Sequence, residues 1–241
     1  MPAPETGAHV VGVIFNENER EAAMRNRTGY IALLVYAVWL LISAGMAACQ
    51  SGSGGPDDWE AYHNSYQPPD SVMDAVGVRP GMTVAEVGAG RGRYIVHMAL
   101  RVGAAGKVYA NDIDEEALDY VELRCKRDSI GNVVTILGEL TDPLLPEGEL
   151  DIVYMINTYH HLEKPVELMR NIAPSLKPDG VLAIIEHDPV KYPRAGSHST
   201  ARDVLVEQAE KAGFELVRIE TFLPRDNINI FRPKRGSESR G

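Results

Sequence analysis

Cysteine is scarce in this chain: two residues in 241, Cys49 and Cys125. Cys49 belongs to a leader at the front of the chain, and Cys125 falls in a predicted helix without a partner. One leftover thiol supports neither a disulfide framework nor a zinc site, and Cys125 reads as a small packed residue. Positive charge is also in short supply. Lys and Arg total 24 against 34 Asp and Glu, for a net charge of −10 and a pI near 5.2. That balance excludes a general nucleic-acid binder, whose phosphate contacts need a basic face. There is no internal repeat. Apolar residues make up 44% of the sequence, enough for one full α/β core with a leader or extension left over.

The most informative stretch is VAEVGAGRGR at 84–93. Val84, Ala85 and Val87 read as a buried strand, and Gly88, Gly90 and Gly92 let the backbone turn tightly and approach a ligand. Ala89 lies inside that turn, and the segment from Arg93 to Leu100 opens a helix with its free N–H groups at the same spot. A nucleotide-like cofactor suits such a loop. The dinucleotide pattern G-x-G-x-x-G would need glycine at 93, where this chain has Arg93.

The front of the chain reads separately. Residues 1–23 are an extension, with Met24 as an alternative start. Met24-Arg25-Asn26-Arg27 then precedes an apolar run from Ile31 to Ala48, small residues at its end, and Cys49. This order fits a secretory signal over 24–48 ending in a lipobox, with Cys49 lipidated. A helix of about 18 residues spans about 27 Å, so an uncleaved membrane anchor is the alternative. Charge placement around the run puts the domain outside the cytoplasm, as a bacterial lipoprotein facing the periplasm or exterior; an unused leader would leave it cytoplasmic. Residues 49–61 read as a flexible tether, 62–232 as the domain, and 233–241 as a disordered tail.

Short apolar runs alternate with amphipathic ones along the domain. Strands are predicted at Thr83–Val87, Lys107–Asn111, Val133–Leu137, Asp151–Ile156, Val181–Glu186, Glu215–Phe222 and Ile228–Arg232. Helices are predicted at Ser71–Val76, Arg93–Val102, Glu115–Asp128, Pro165–Leu176 and Ala201–Ala212, with Lys177-Pro178-Asp179-Gly180 as a turn. The pattern describes a Rossmann-like, doubly wound α/β sheet, mainly parallel, with a hairpin at one edge.

Such sheets bind ligands beyond the carboxyl ends of their strands. Four clusters collect there: Glu86-Val87-Gly88, Asn111-Asp112, Gly138-Glu139-Leu140 and Asn157-Thr158-Tyr159. Asp112, about 20 residues past the glycine loop, is placed to accept the hydroxyls of a ribose. Its competing role is to cap the next helix, a task Asp114 can perform instead.

The order Glu86-x-G-x-G-x-G resembles the first motif of the class I S-adenosylmethionine-dependent methyltransferases. VYANDID at 108–114, the stretch at 137–162 and SLKPDGVLAIIEHDP at 175–189 are similar to the later motifs of that family, including its ubiquinone/menaquinone biosynthesis group. The resemblance implies a seven-stranded sheet closed by an antiparallel final strand and S-adenosyl-L-methionine as cofactor. It also implies a small-molecule methyl acceptor. On this basis Glu86 lies near the cofactor's amino-acid end, and Glu139, where the family more often has aspartate, reaches the adenine amino group. Ile113 and Leu140 supply apolar contacts to the base, and Asn157, at the same rim, joins Gly88, Ala89, Gly90, Gly92 and Asp112 as a cofactor-binding residue.

His160 and His161 follow the fourth strand and are the candidate catalytic bases for an acceptor that must lose a proton. Bracing of the loop is the competing role for one of the rings. Tyr159 would orient a substrate, and His187 reads as a hydrogen-bonded histidine. The spacing of His160, His161, His187 and Asp188 fits no standard metal pattern, so no metal is expected. Tyr62, His63, Tyr66 and Gln67 precede the domain and read first as packing of the first helix onto the core, with contacts to an acceptor from a substrate-covering lid as the alternative. Two other functions compete: a membrane-tethered nucleotide-binding protein without methyl transfer, and an NAD-dependent oxidoreductase, which Arg93 disfavours. The leader has its own test. Mass spectrometry of membrane-extracted protein is expected to find diacylglyceryl-modified Cys49, whereas an intact Met24 start in a cytosolic fraction contradicts the lipobox.

Overall fold

The computed structural model describes residues 56–234. The extension, the signal or anchor at 24–48, Cys49 and residues 235–241 of the tail lie outside the described residues. Two helices lead in: α1, Pro56–Tyr66, and α2, Pro69–Val76. Seven strands and four more helices complete the described residues. In chain order these are β1 (Thr83–Val87), α3 (Ile95–Val102), β2 (Lys107–Asp112), α4 (Glu115–Arg127), β3 (Val133–Leu137) and β4 (Leu150–Ile156). After them come α5 (Pro165–Ile172), β5 (Leu176–His187), α6 (Arg202–Lys211), β6 (Phe214–Glu220) and β7 (Asp226–Pro233).

One sheet takes the order β3-β2-β1-β4-β5-β7-β6. The first five strands are parallel, whereas β7 runs antiparallel to both β5 and β6. The final strand is therefore inserted between β5 and β6 rather than added at the edge. β7 is buried along almost its whole length, and β6 takes the half-exposed edge. A doubly wound sheet needs apolar residues on both faces, and two clusters supply them. Val84, Val108, Ile152 and Ile185 pack under α2, α3 and α4; Ala85, Tyr109, Met155 and Ile184 pack under α5 and α6.

Several boundaries differ from the sequence expectation for local reasons. Pro174 cannot donate and crowds the preceding turn, so α5 stops at Ile172 and a short 3-10 turn, Ala173–Ser175, follows. Leu176 already pairs with Leu150, which makes 177–180 an irregular start to β5 instead of a turn. The helix after β1 starts at Ile95, two residues late, because positive φ at Gly90 and Gly92 holds the chain in turns.

The stretch expected as a tether over 49–61 is helical from Pro56 onward. Glu60 fixes this helix to α4: Arg124 Nη2 donates to Glu60 Oε2 at 2.8 Å while Nη1 donates to Oε1, a two-pronged and largely buried pair.

Asp114 caps α4, accepting from Glu116 N–H at 3.0 Å and Ala117 N–H at 3.4 Å. This leaves Asp112 for other work. Asp114→Ala is expected to cost about 1 kcal/mol, seen in thermal denaturation as a drop of about 2–4 °C. An unchanged midpoint would mean that the cap is redundant.

Candidate functional site

β1 ends beside β2 with Val87 opposite Asn111, and the chain turns there. Gly88 and Ala89 N–H both donate to the Asn111 carbonyl at 2.9 Å. Gly88 has φ +78°, and a Cβ on it would lie 2.3 Å from Thr158 Cγ2 of the loop after β4. Only glycine fits between those loops. Gly90 has φ +51° but nothing within 4 Å of a would-be Cβ. At Gly90 the backbone faces open space, as close approach of a ligand requires.

Asp112 braces this turn. Its Oδ2 accepts from Gly90 N–H at 2.8 Å; its Oδ1 accepts from Ile113 N–H at 2.8 Å and Asp114 N–H at 3.1 Å. A carboxylate has about four lone-pair positions, so one on Oδ2 is left over. The structure puts Asp112 at the rim, where the sequence leads one to expect a ligand group; its grip on the glycine loop has no signal in the sequence.

Glu86 lies under the turn, 4% exposed, and its Oε2 has no hydrogen-bond partner among the described residues. Burial pushes its carboxyl up to about 8, Arg93 opposes that, and Asp112 adds to it. Arg93 reaches outward: Nη1 donates to Asn64 Oδ1 at 3.1 Å and Nη2 to Gln67 Oε1. Gln67 is fully buried, and its Nε2 approaches Asn157 Oδ1 at 3.4 Å. The residue that rules out the dinucleotide pattern thus ties α1 and the following loop to the glycine turn. Gln67 and Tyr66 are both buried, as packing of this segment onto the core requires.

On the other side of Asp112, two apolar side chains are left bare: Ile113 is 57% exposed and Leu140 65%. Glu139, between Gly138 and Leu140, is exposed, its N–H held by the Asp142 carbonyl at 2.7 Å. Asn111 fixes this loop from below, donating to Ile136 O at 3.1 Å and Pro143 O at 2.9 Å.

Beyond β4 the chain passes through Asn157 at φ +53°, a conformation that asparagine tolerates better than most residues. A 3-10 turn, Tyr159–His161, follows. Tyr159 does not orient a substrate: it is buried and its hydroxyl donates to Gln208 Oε1 of α6 at 2.6 Å. His160 Nδ1 lies 2.8 Å from Glu186 Oε1 at the end of β5, which also accepts from His187 N–H at 3.0 Å. His161 is exposed, and its pKa is lowered by burial first and then by the rings of His160 and His198. His187 stacks on His160 with centroids 6.3 Å apart, and its Nδ1 is 2.6 Å from Oδ1 of the fully buried Asp226.

The structure thus brings His160 and His161 together with His198, from the segment Pro193–His198 after β5, rather than with Asp188. Asp188 instead accepts from Val190 N–H at 2.8 Å and pairs with Asn227. Arg225 is another residue that sequence reasoning missed. Its guanidinium lies over the rings of Tyr66 at 3.8 Å, Tyr192 at 4.8 Å and Tyr62 at 5.5 Å. It joins α1 to the β5 side of the rim by cation–π contact.

These features fit an adenosyl sulfonium cofactor. A bare glycine turn offers backbone at close range, Asp112 keeps a spare acceptor position beside it, and Ile113 and Leu140 flank it with exposed apolar surface. The unpartnered Oε2 of Glu86 leaves a buried polar position under the turn for a ligand to satisfy.

Comparison with known proteins agrees. Residues 85–184 match the family described as a methyltransferase domain. The chain is similar to nocamycin O-methyltransferase of Saccharothrix syringae, at 30% identity over 113 residues covering 47% of this chain and 40% of that protein. It is also similar to the ubiquinone/menaquinone biosynthesis C-methyltransferase UbiE of Idiomarina loihiensis, at 27% identity over 48% of this chain and 46% of that one. The aligned part spans less than half the length of these relatives. Among solved structures, a SAM-dependent methyltransferase from Aquifex aeolicus superimposes with a TM-score of 0.66 at 26% identity, covering 74% of this chain and 93% of that one.

The Glu86 carboxyl gives a test of the site's electrostatics. From pH 4.5 to about 8 the folded protein keeps a proton that the unfolded chain has released. Its contribution to stability is therefore full below pH 4.5 and lost as pH rises to about 8. Glu86→Gln should flatten the fall in melting temperature between pH 5 and 8; parallel profiles for the two proteins would place the carboxylate in a solvated setting.

Proposed function

We infer that the described residues of this chain form a class I S-adenosylmethionine-dependent methyltransferase domain that transfers the cofactor's methyl group to a small-molecule acceptor. The observation that carries this reading is the open, positive-φ Gly90 next to the one spare acceptor position of Asp112. S-adenosylmethionine supplies an already electrophilic methyl on a sulfonium centre. The protein's work is then positional. The backbone at Gly88, Ala89, Gly90 and Gly92 gives close approach, and Asp112 takes a ribose hydroxyl. Ile113 and Leu140 hold the adenine, Glu139 reaches its amino group, and Glu86 faces the amino-acid end. In-line alignment of the acceptor falls to the far side of the rim, where Asn157, His160 and His161 stand.

α1 and the Gln67 loop keep water from that space. Arg93 and Arg225 pin them by hydrogen bonds and ring contacts instead of by an extended apolar interface. Such a cover opens without exposing a core, as entry of an acceptor requires. The leader at 24–49 remains part of the proposal on sequence grounds: the domain is tethered at a membrane, and the cofactor must reach it there. Among the described residues no helix is long and apolar enough to cross a membrane.

Titration calorimetry with S-adenosylmethionine should show one site per chain, and methylated product with S-adenosylhomocysteine should appear when a metabolite extract is added. Gly90→Ala places a methyl group where the cofactor must approach, and it should weaken binding tenfold or more. Asp112→Asn should weaken it as well while keeping an oxygen for the Gly90 N–H. Binding with no product from any extract would favour a nucleotide-binding protein; binding of NADH in place of S-adenosylmethionine would overturn the assignment.

A further inference from the structure

The acceptor side of the rim holds a cluster that cofactor binding does not use. His160 and His161 come from the turn after β4, and His198 from the end of the segment after β5. One ligating nitrogen from each lies within 4.8 Å of the others. The rings of His160 and His161 are 4.1 Å apart, and His198 stands edge-on to both at 5.4 and 5.7 Å. We propose that His160, His161 and His198 form a binding site for a divalent transition-metal ion of the zinc class, with Glu186 as the carboxylate that orients His160.

Three observations support this assignment. The donor set is three imidazoles without a thiolate, and three protein ligands with a fourth position open is the arrangement of zinc sites that handle substrate. Magnesium and calcium prefer oxygen donors and would find none among these three rings. Secondly, a metal-bound histidine usually gives its other ring nitrogen to a carboxylate, and His160 does so here: Nδ1 is 2.8 Å from Glu186 Oε1. That bond assigns the proton to Nδ1 and leaves the lone pair of Nε2 for an ion. Thirdly, Glu186 is 2% exposed and, among the described residues, pairs with no lysine or arginine; its Oε2 has no partner. A buried carboxylate oxygen left without a partner is costly unless a ligand or ion beside it compensates.

Two of the ligands are on exposed positions of short turns. They need to close only from within 4.8 Å to about 3.3 Å, the edge of a tetrahedron with metal–nitrogen bonds of about 2.0–2.1 Å. An ion there leaves its fourth position to water or to an acceptor carrying a lone-pair atom. The proposal deepens the acceptor half of the methyltransferase reading, but metal uptake does not depend on methyl transfer.

The test uses the tag-free full chain, stripped with a chelator and dialysed. Zinc chloride is then titrated by calorimetry, with metal content confirmed by mass spectrometry, and cobalt chloride reports coordination through its visible absorption. One zinc per chain and tetrahedral cobalt bands are expected. His198→Ala, at an exposed position that leaves the core intact, should lower zinc affinity at least a hundredfold, and Glu186→Gln about tenfold. His63→Ala, on α1, should leave zinc affinity unchanged. Melting temperature and S-adenosylhomocysteine binding, measured alongside, show whether each variant is folded. No saturable uptake of zinc, or uptake that His198→Ala and His161→Ala leave unchanged, overturns the site while leaving the cofactor assignment standing.

Discussion

The hydrogen bond from the Gly90 N–H to the Asp112 carboxylate is the constraint on which the site depends. It exists because β1 and β2 are in register with Val87 opposite Asn111, so Asp112 ends its strand level with the turn. Three consequences follow. The turn must bend at Gly88 under Thr158, where a side chain would collide. Asp112 cannot also cap α4, and Asp114 takes that task. The carboxylate, held by three backbone N–H groups, presents its remaining acceptor position in a fixed direction, which is what orienting a ribose demands.

Acid dominates the rest of the rim. Glu86, Glu186 and Asp226 are each buried, Asp112 partly so, and the nearby arginines are committed to the covering helix. Arg93 opposes the upward shift of Glu86 without cancelling it; among the described residues Asp226 pairs with His187, and Lys191 Nζ donates to its carbonyl at 2.8 Å. Among the described residues Glu86 and Glu186 have no lysine or arginine at ion-pair distance. The proposed sulfonium cofactor on one side and metal ion on the other would bring positive charge beside them.

Much of the fold was legible because its signals are local. β1 and β3 match their expected limits, and alternating strands and helices identify the doubly wound sheet. The glycine turn, Asp112 and the bare Ile113 and Leu140 stand where strand-end logic puts them. Other features depend on contacts that no spacing reveals. His198 joins His160 and His161 only because the segment after β5 folds back over the β4 loop. Tyr159 turns away from the rim because Gln208 of α6 receives its hydroxyl. α1 is stable in a stretch that reads as a tether because Arg124, 64 residues later, grips Glu60. Arg93 carried one message in the sequence, the absence of a dinucleotide glycine, and acquires its second through Asn64 and Gln67 once the helix is in place.

The most direct test of the cofactor site is a crystal structure with S-adenosylhomocysteine bound. The adenosine is expected to lie over Gly90, with a ribose hydroxyl on the Asp112 carboxylate and the adenine between Ile113 and Leu140. A ligand bound elsewhere, or a glycine turn left vacant at saturating ligand, would contradict the assignment.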